Sequence, residues 1–423
     1  EMIPDYSILE QIDYQYPTYD AYIAYSTRGC VNNCDFCAVP KLEGELKPYK
    51  KGYLVDYVNK LKKAHGVKKN LLLLDNNITA CDFDLFDSII KDIETLGFGK
   101  GSKFTNKDKP EMRKYLEKMR NPRIEYQAKY LGFKGKATMP ELIEYIVDKQ
   151  HRRHRHVDFN QGLEAKKLVE NEQKMKRLGD IAIRPSRIAF DHISLEGTYV
   201  KAVKLAAKYD IKVISNYLLF NHNDKPEDLL NRIMINIELN ERFAEQKKEG
   251  KHSQIFSFPM KYMPLDQTHR QHIGKHWTKK ELRAIQAILI ATHGVVGPRR
   301  EYNQRAFCDI PKEVSQSREI ELDELMEGFK TLLWMPEKYI IYRLDNEKKG
   351  TAKWKKQYGE LTESDRELMH SLIGNNEIKK NEYNELKQNH PVRKIIDDHY
   401  EVLNKRMNYQ IRKGYNSSLD KFS

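Results

Sequence analysis

The sequence predicts an α/β protein: a partial (β/α)6 barrel of the TIM type, with a helical insertion and a C-terminal helical extension. Two observations predict it. Short apolar runs alternate with amphipathic stretches from Ala21 to Pro259, and polar residues stand where the apolar runs stop. Such alternation joins strands through crossover helices, and polar strand ends are where barrel enzymes carry their chemistry. Ala21 to Thr27 is a tyrosine-rich run that reads as the first strand. Leu54 to His65 is an amphipathic helix, closed by Gly66 as its C-cap. Asn70 to Leu74 carries four consecutive leucines, as a strand buried on both faces would, and gives way to Asp75, Asn76 and Asn77. Further strands are expected at His156 to Asn160, Arg187 to Asp191, Ile211 to Phe220 and Ser253 to Pro259. Helices at Glu164 to Leu178, Tyr199 to Tyr209 and Pro226 to Phe243 separate them.

Two segments break the rhythm. The stretch at about 99–156 is longer than a crossover needs and has its own helix signals. Pro110 opens one helix, and Thr138 with Glu141 forms a capping box around Pro140 for another. This insertion holds sixteen Lys or Arg against seven Asp or Glu, a balance of +9 within a chain of net charge +13. The second segment, 312–423, is charged, helical in pattern and contains Trp334 and Trp354. Residues 1–311 are therefore read as the barrel with its insertion, and 312–423 as a helical cap.

Composition sets the surroundings. Five cysteines in 423 residues, three of them clustered, argue against a disulfide framework and for a reducing compartment. No basic stretch leads into an apolar run at the start, and no long apolar run appears elsewhere, so a cytoplasmic protein without a membrane span is expected. The basic balance suggests an anionic substrate, cofactor or partner.

The chemistry is concentrated in Cys30, Cys34 and Cys37, spaced C-x3-C-x2-C, with Phe36 just before the third. Three thiolates in one short loop can hold three irons of a cubane cluster and leave the fourth iron open. An electron-transfer site would supply four cysteines, and structural zinc would pair two C-x2-C knuckles. Cys81 and Cys308 are isolated and read as packed thiols. His151, His154 and His156 lie among arginines and read as a solvated basic segment, while His269, His272 and His276 would share a face only if their stretch were helical.

The cysteine spacing resembles the signature of the radical S-adenosylmethionine (SAM) superfamily. The resemblance covers roughly residues 4–265, and includes segments around Asn160 to Leu163 and Phe190 to Ile193. It implies a [4Fe–4S] cluster on Cys30, Cys34 and Cys37, with S-adenosyl-L-methionine chelated at the open iron. It also implies reductive cleavage of SAM to a 5′-deoxyadenosyl radical, fed by a one-electron donor such as flavodoxin or ferredoxin. Phe36 takes the aromatic position beside the adenine. Many members grip the SAM amine with a Gly-Gly-Glu stretch; here Asp75 and Asn77 stand in its place. Asp191 or Ser194 would hold the ribose hydroxyls, and Asn216 lies where relatives bind adenine. Only 29 residues precede Cys30, so no cobalamin domain is expected.

Asp158, Asn160 and Gln161, with Asp75 and Asn77, form a polar set suited to a small heterocyclic substrate. A carboxylate can accept from adjacent N–H groups of a guanine-like edge. The general layout resembles the queuine lyases of queuosine salvage, which free 7-aminomethyl-7-deazaguanine by breaking a C–N bond. The rival reading is a modifier of tRNA or of a peptide, with the insertion as docking surface. The insertion is read instead as a lid, because acidic residues are interleaved with its bases.

Overall fold

The computed structural model describes Tyr6 and residues 20–246, 252–267, 270–344 and 349–400. It is a mixed α/β structure with small parallel sheets, and no closed barrel forms among the described residues. The chain groups into two compact units, one drawn from residues 1–217 and 239–256, the other from 218–238 and 257–423.

In the first unit, β1 (Ala21–Ala24), β2 (Asn70–Leu73) and β3 (Val157–Phe159) form a parallel sheet in that order. A second sheet runs in the order β4 (Ser186–Arg187), β5 (Val213–Phe220) and β6 (Gln254–Lys261), with β4 parallel to β5. Between β3 and the approach to β4, the Val157 N–H donates to Ala182 O at 2.9 Å, and the Leu163 N–H to Arg187 O at 2.7 Å. β4 is shorter than the expected Arg187 to Asp191. Its next two amides diverge, Ile188 donating to Ser215 O and Ala189 to Leu163 O, so the segment bridges both neighbours instead of extending one ladder.

Helices α1 (Tyr53–His65) and α2 (Phe83–Thr95) follow β1 and β2. Gly66 ends α1 at φ 71°, as the sequence indicated. The insertion holds three helices, α3 (Lys109–Leu116), α4 (Asn121–Tyr130) and α5 (Met139–His151). Pro110 lies in the first turn of α3, and the Thr138–Glu141 capping box opens α5. Their apolar faces make a core of their own from Phe104, Met112, Leu116, Ile124, Ala128, Leu142, Ile146 and neighbours. The expected helix from Glu164 to Leu178 is two, α6 (Ala165–Glu170) and α7 (Glu172–Gly179). Asn171 breaks it: its backbone is extended, and its side chain accepts from the Gln173 N–H. Asn competes with helix continuation in this way, which makes it a natural N-cap. α8 (Glu196–Lys208) and α9 (Pro226–Glu245) follow β4 and β5.

In the second unit, helices run from Lys279–Ala291 through Leu322–Trp334, Lys349–Gly359 and Glu363–Ile373 to Pro391–His399. Trp354 is fully buried there and donates to Tyr400 Oη at 3.0 Å. Trp334 lies flat on His370, with ring centroids 3.8 Å apart.

Candidate functional site

The cysteine loop is rooted at a buried carboxylate. Asp75, just past β2, is wholly inaccessible and accepts from the Ser26 N–H at 3.0 Å, Ser26 Oγ at 2.6 Å and Thr27 Oγ1 at 2.8 Å. Burial raises its carboxyl, and the Ser26 and Thr27 donors oppose that. Each donor offsets part of the cost of burying the charge. Asp75 thus ties the C-terminal end of β2 to the chain leaving β1. Its lone pairs are directed at the loop root rather than at a ligand.

Beyond that root, Thr27–Arg28 pairs antiparallel with Lys47–Pro48 and closes the loop between them. Cys30 N–H donates to Gly44 O at 3.1 Å. Gly29 has φ +75°, and a Cβ there would stand 2.0 Å from Glu45 O, so only glycine fits this turn. Glu43 binds the loop from inside, accepting from Gly29 N–H at 2.9 Å and Asn76 Nδ2 at 2.6 Å. It also pairs with Arg28 at 2.8 Å, which gives Arg28 a local partner in addition to the Tyr25 ring 4.2 Å away.

All three cysteines of the motif are free and half-buried. The Cys37 N–H donates to Cys34 O at 3.1 Å, which turns the C-x2-C segment. Burial raises the Cys34 thiol, and Cys37, Asp191, Cys30 and Glu164 push it further the same way. Cys30 Sγ receives the Asn32 N–H at 3.4 Å and Asn77 Nδ2 at 3.7 Å. Donors aimed at sulfur are among the features that set iron–sulfur potentials. Among the described residues no three His, Cys, Asp or Glu side chains converge as ligands of a single metal ion. In a cubane cluster each thiolate holds a different iron, so its ligands need not converge on one point. The donor chemistry, three free thiols on one loop with N–H donors at a sulfur, suits that group.

Glu164, which sequence reasoning passed over, organises the site. It begins the turn into α6 and accepts from Asn32 Nδ2 at 2.9 Å and Asn77 Nδ2 at 2.7 Å. Its own N–H donates to Thr79 Oγ1, which in turn donates to Asn77 Oδ1. Asn77 and Glu164 thus follow β2 and β3 at the C-terminal ends and are tied to Cys30 through Asn77. Phe36 is half-buried within the loop.

The remaining predicted residues are placed differently. Asp158 is paired with Arg187 through two 2.8 Å bonds, to Nε and Nη2, and Arg187 Nη1 reaches Tyr217 Oη at 3.2 Å. Register puts Leu72 opposite Asp158 in one sheet and Arg187 opposite Ser215 in the other, and the Asp158–Arg187 bonds join the two pairs. Ile23, Asp158, Arg187 and Tyr217 are half-buried, while Leu72 and Ser215 between them are buried. Asn216, which alternates with Ser215 and Tyr217 along β5, is buried and donates to Tyr199 Oη of α8. Asn216 is not brought to the cysteines. Asn160 donates its N–H to Leu73 O, Gln161 is exposed, and Ser194 is exposed beside His192 Nδ1 at 2.8 Å. An arginine inside the apolar run from Ser186 to Phe190 was the signal for Arg187.

The bland readings divide. Cys81 and Cys308 are buried, and burial raises both thiols, Cys81 to about 11. The arginine-rich stretch is not wholly solvated, because Arg155 is buried, pairs with Asp108 at 3.2 Å and lies over Phe98 and Phe104. The segment holding His272 and His276 is not helical, and His269 lies outside the described residues.

Comparison with protein-family models and with curated proteins returns no match to this chain.

Proposed function

We propose that this protein is a radical SAM enzyme built on a partial (β/α)6 barrel, acting on a small polar heterocycle. The observation that carries the reading is the loop of three free cysteines, Cys30, Cys34 and Cys37, met at Cys30 by Asn77, which is bonded to Glu164, past the C-terminal ends of parallel strands. That is the end where barrel enzymes place reacting groups. Cys30, Cys34 and Cys37 would hold a [4Fe–4S] cluster, and Phe36, Asn77 and Asp191 would line bound SAM. When bound, cluster and SAM together supply a 5′-deoxyadenosyl radical. The protein's own part is to orient donors at Cys30 and to present a polar cluster of Asp158, Arg187 and Tyr217 to a substrate. Our reading of the substrate is queuine, with Asp158, whose two oxygens each accept one bond from Arg187, taking a ring N–H through a remaining lone pair.

The test is anaerobic reconstitution with iron and sulfide, then reduction in the presence of SAM. One cluster per chain and 5′-deoxyadenosine are expected, both lost in Cys30→Ala, Cys34→Ala or Cys37→Ala. Deoxyadenosine from the triple variant would sink the assignment. Queuine should raise deoxyadenosine and release 7-aminomethyl-7-deazaguanine; stimulation by a peptide or tRNA instead would end the queuine reading and leave the radical chemistry standing.

A further inference from the structure

A second polar site lies where the insertion meets the N-terminal ends of β1 and β2, away from the cysteines. A partly enclosed cavity of about 30 Å³ is lined there by Asp20, Lys68, Lys69, Tyr115, Arg123 and Gln127, among others. That is room for a small ion, since one water needs about 10–15 Å³ on the same measure. Arg123 is 5% exposed and Gln127 4%, and they stand one turn apart on α4, so both project from one face of it. Arg123 Nε and Nη1 and Gln127 Oε1 have no hydrogen-bond partner among the described residues. Asp20, the one carboxylate among the described lining residues, is taken up by Lys69 at 3.0 Å and by Asn70 Nδ2 at 3.0 Å. Lys68 Nζ donates to Tyr115 Oη at 2.8 Å and lies over the Tyr115 ring. Among the described residues the lining thus has three cations against one carboxylate, and Nε and Nη1 of its one guanidinium are left without a hydrogen-bond partner.

A buried, unpaired guanidinium is costly, and buried polar groups are satisfied in folded proteins with few exceptions. We infer that this cavity binds inorganic phosphate, with Arg123 as its charged anchor. The fork of Arg123 suits two phosphate oxygens. Gln127 Oε1 is an acceptor, and phosphate near neutral pH still carries a P–OH to donate to it, which sulfate does not. The site would brace the insertion against the strands through the anion.

The experiment titrates the full chain with phosphate, and separately with sulfate at matched ionic strength, following thermal unfolding and equilibrium dialysis of labelled phosphate. Expected is a saturable rise in Tm with phosphate that exceeds the sulfate response, as a ligand confined to the folded state produces. Arg123→Met should weaken phosphate binding at least tenfold while unfolding no earlier than wild type in phosphate-free buffer, because it removes an uncompensated charge. If that variant fails to fold, Gln127→Leu serves: its phosphate affinity falls while its sulfate response stays unchanged. Cys30→Ala should keep the full phosphate response. Equal, unsaturable rises with both anions, or phosphate binding indifferent to Arg123 and Gln127, would overturn the inference. So would a salt-sensitive tRNA affinity that alone depends on Arg123, since it would make the site a docking point for nucleic acid.

Discussion

At the scale of single residues, two positions decide whether the cysteine loop exists as drawn. Gly29 is held at φ +75° with Glu45 O where a side chain would begin. Gly29→Ala would combine left-handed strain, about 1–3 kcal/mol, with a backbone clash. Its expected signature is a lower unfolding midpoint together with loss of iron loading; loading equal to wild type would show that the loop closes some other way. Glu164 is the second position, because one carboxylate oxygen accepts from both Asn32 and Asn77. Glu164→Ala leaves two amide groups short of a partner, at about 1–3 kcal/mol each if they stay buried. Hydrogen exchange of the amides from Cys30 to Cys37 should then quicken, and Glu164→Gln should restore part of the protection. Unchanged exchange in the alanine variant would remove Glu164 from its organising role.

Among the elements, the insertion is the clearest case of local sequence deciding structure. Thr138 and Glu141 exchange hydrogen bonds at the start of α5, with Glu141 Oε2 taking the Thr138 N–H at 2.7 Å and Thr138 Oγ1 at 2.9 Å. Thr138→Ala should cost about 1 kcal/mol, within the usual range for a lost N-cap, read as a shift in urea midpoint at constant slope. A neutral result would mean that burial of Leu142, Ile143, Ile146 and Val147 alone holds the helix. The capping box, Gly66, the leucine run of β2 and the cysteine spacing were legible because each acts through near neighbours in the chain. Asn171 as a break between α6 and α7 was not, since apolar periodicity continues across it. Nor were the partners of Asp75 and Asp158. Ser26 and Thr27 stand some fifty residues before Asp75, and Arg187 stands 29 after Asp158. A strand-end carboxylate looks the same in sequence whether it awaits a ligand or already has a partner.

For the whole molecule, charge and half-buried histidines together predict acid sensitivity. The chain carries +13 with its fourteen histidines neutral, so every proton it gains adds to self-repulsion. His156 is lowered to about 4 by burial and then by Arg184. In the second unit His370, lying on Trp334 and bonded to Tyr358 Oη at 3.0 Å, is lowered to about 4 by burial and then by Arg366. A histidine depressed in the folded state takes up its proton first in the unfolded chain. Stability from it is therefore complete above about pH 6.5 and drains away as pH falls toward 4. A shift of this size corresponds to about 3 kcal/mol for His370 at the acid end, set by desolvation of the imidazolium, and to less for His156, whose greater exposure lets solvent screen it. Urea unfolding should show a stability plateau near pH 7.5 and a steady loss between pH 6.5 and 4.5. His370→Gln keeps an amide to meet Tyr358 but cannot gain a proton, so its stability should fall less steeply over that window. A variant that loses stability with the same slope as wild type would place the acid-sensitive groups elsewhere and leave His370 a packing residue.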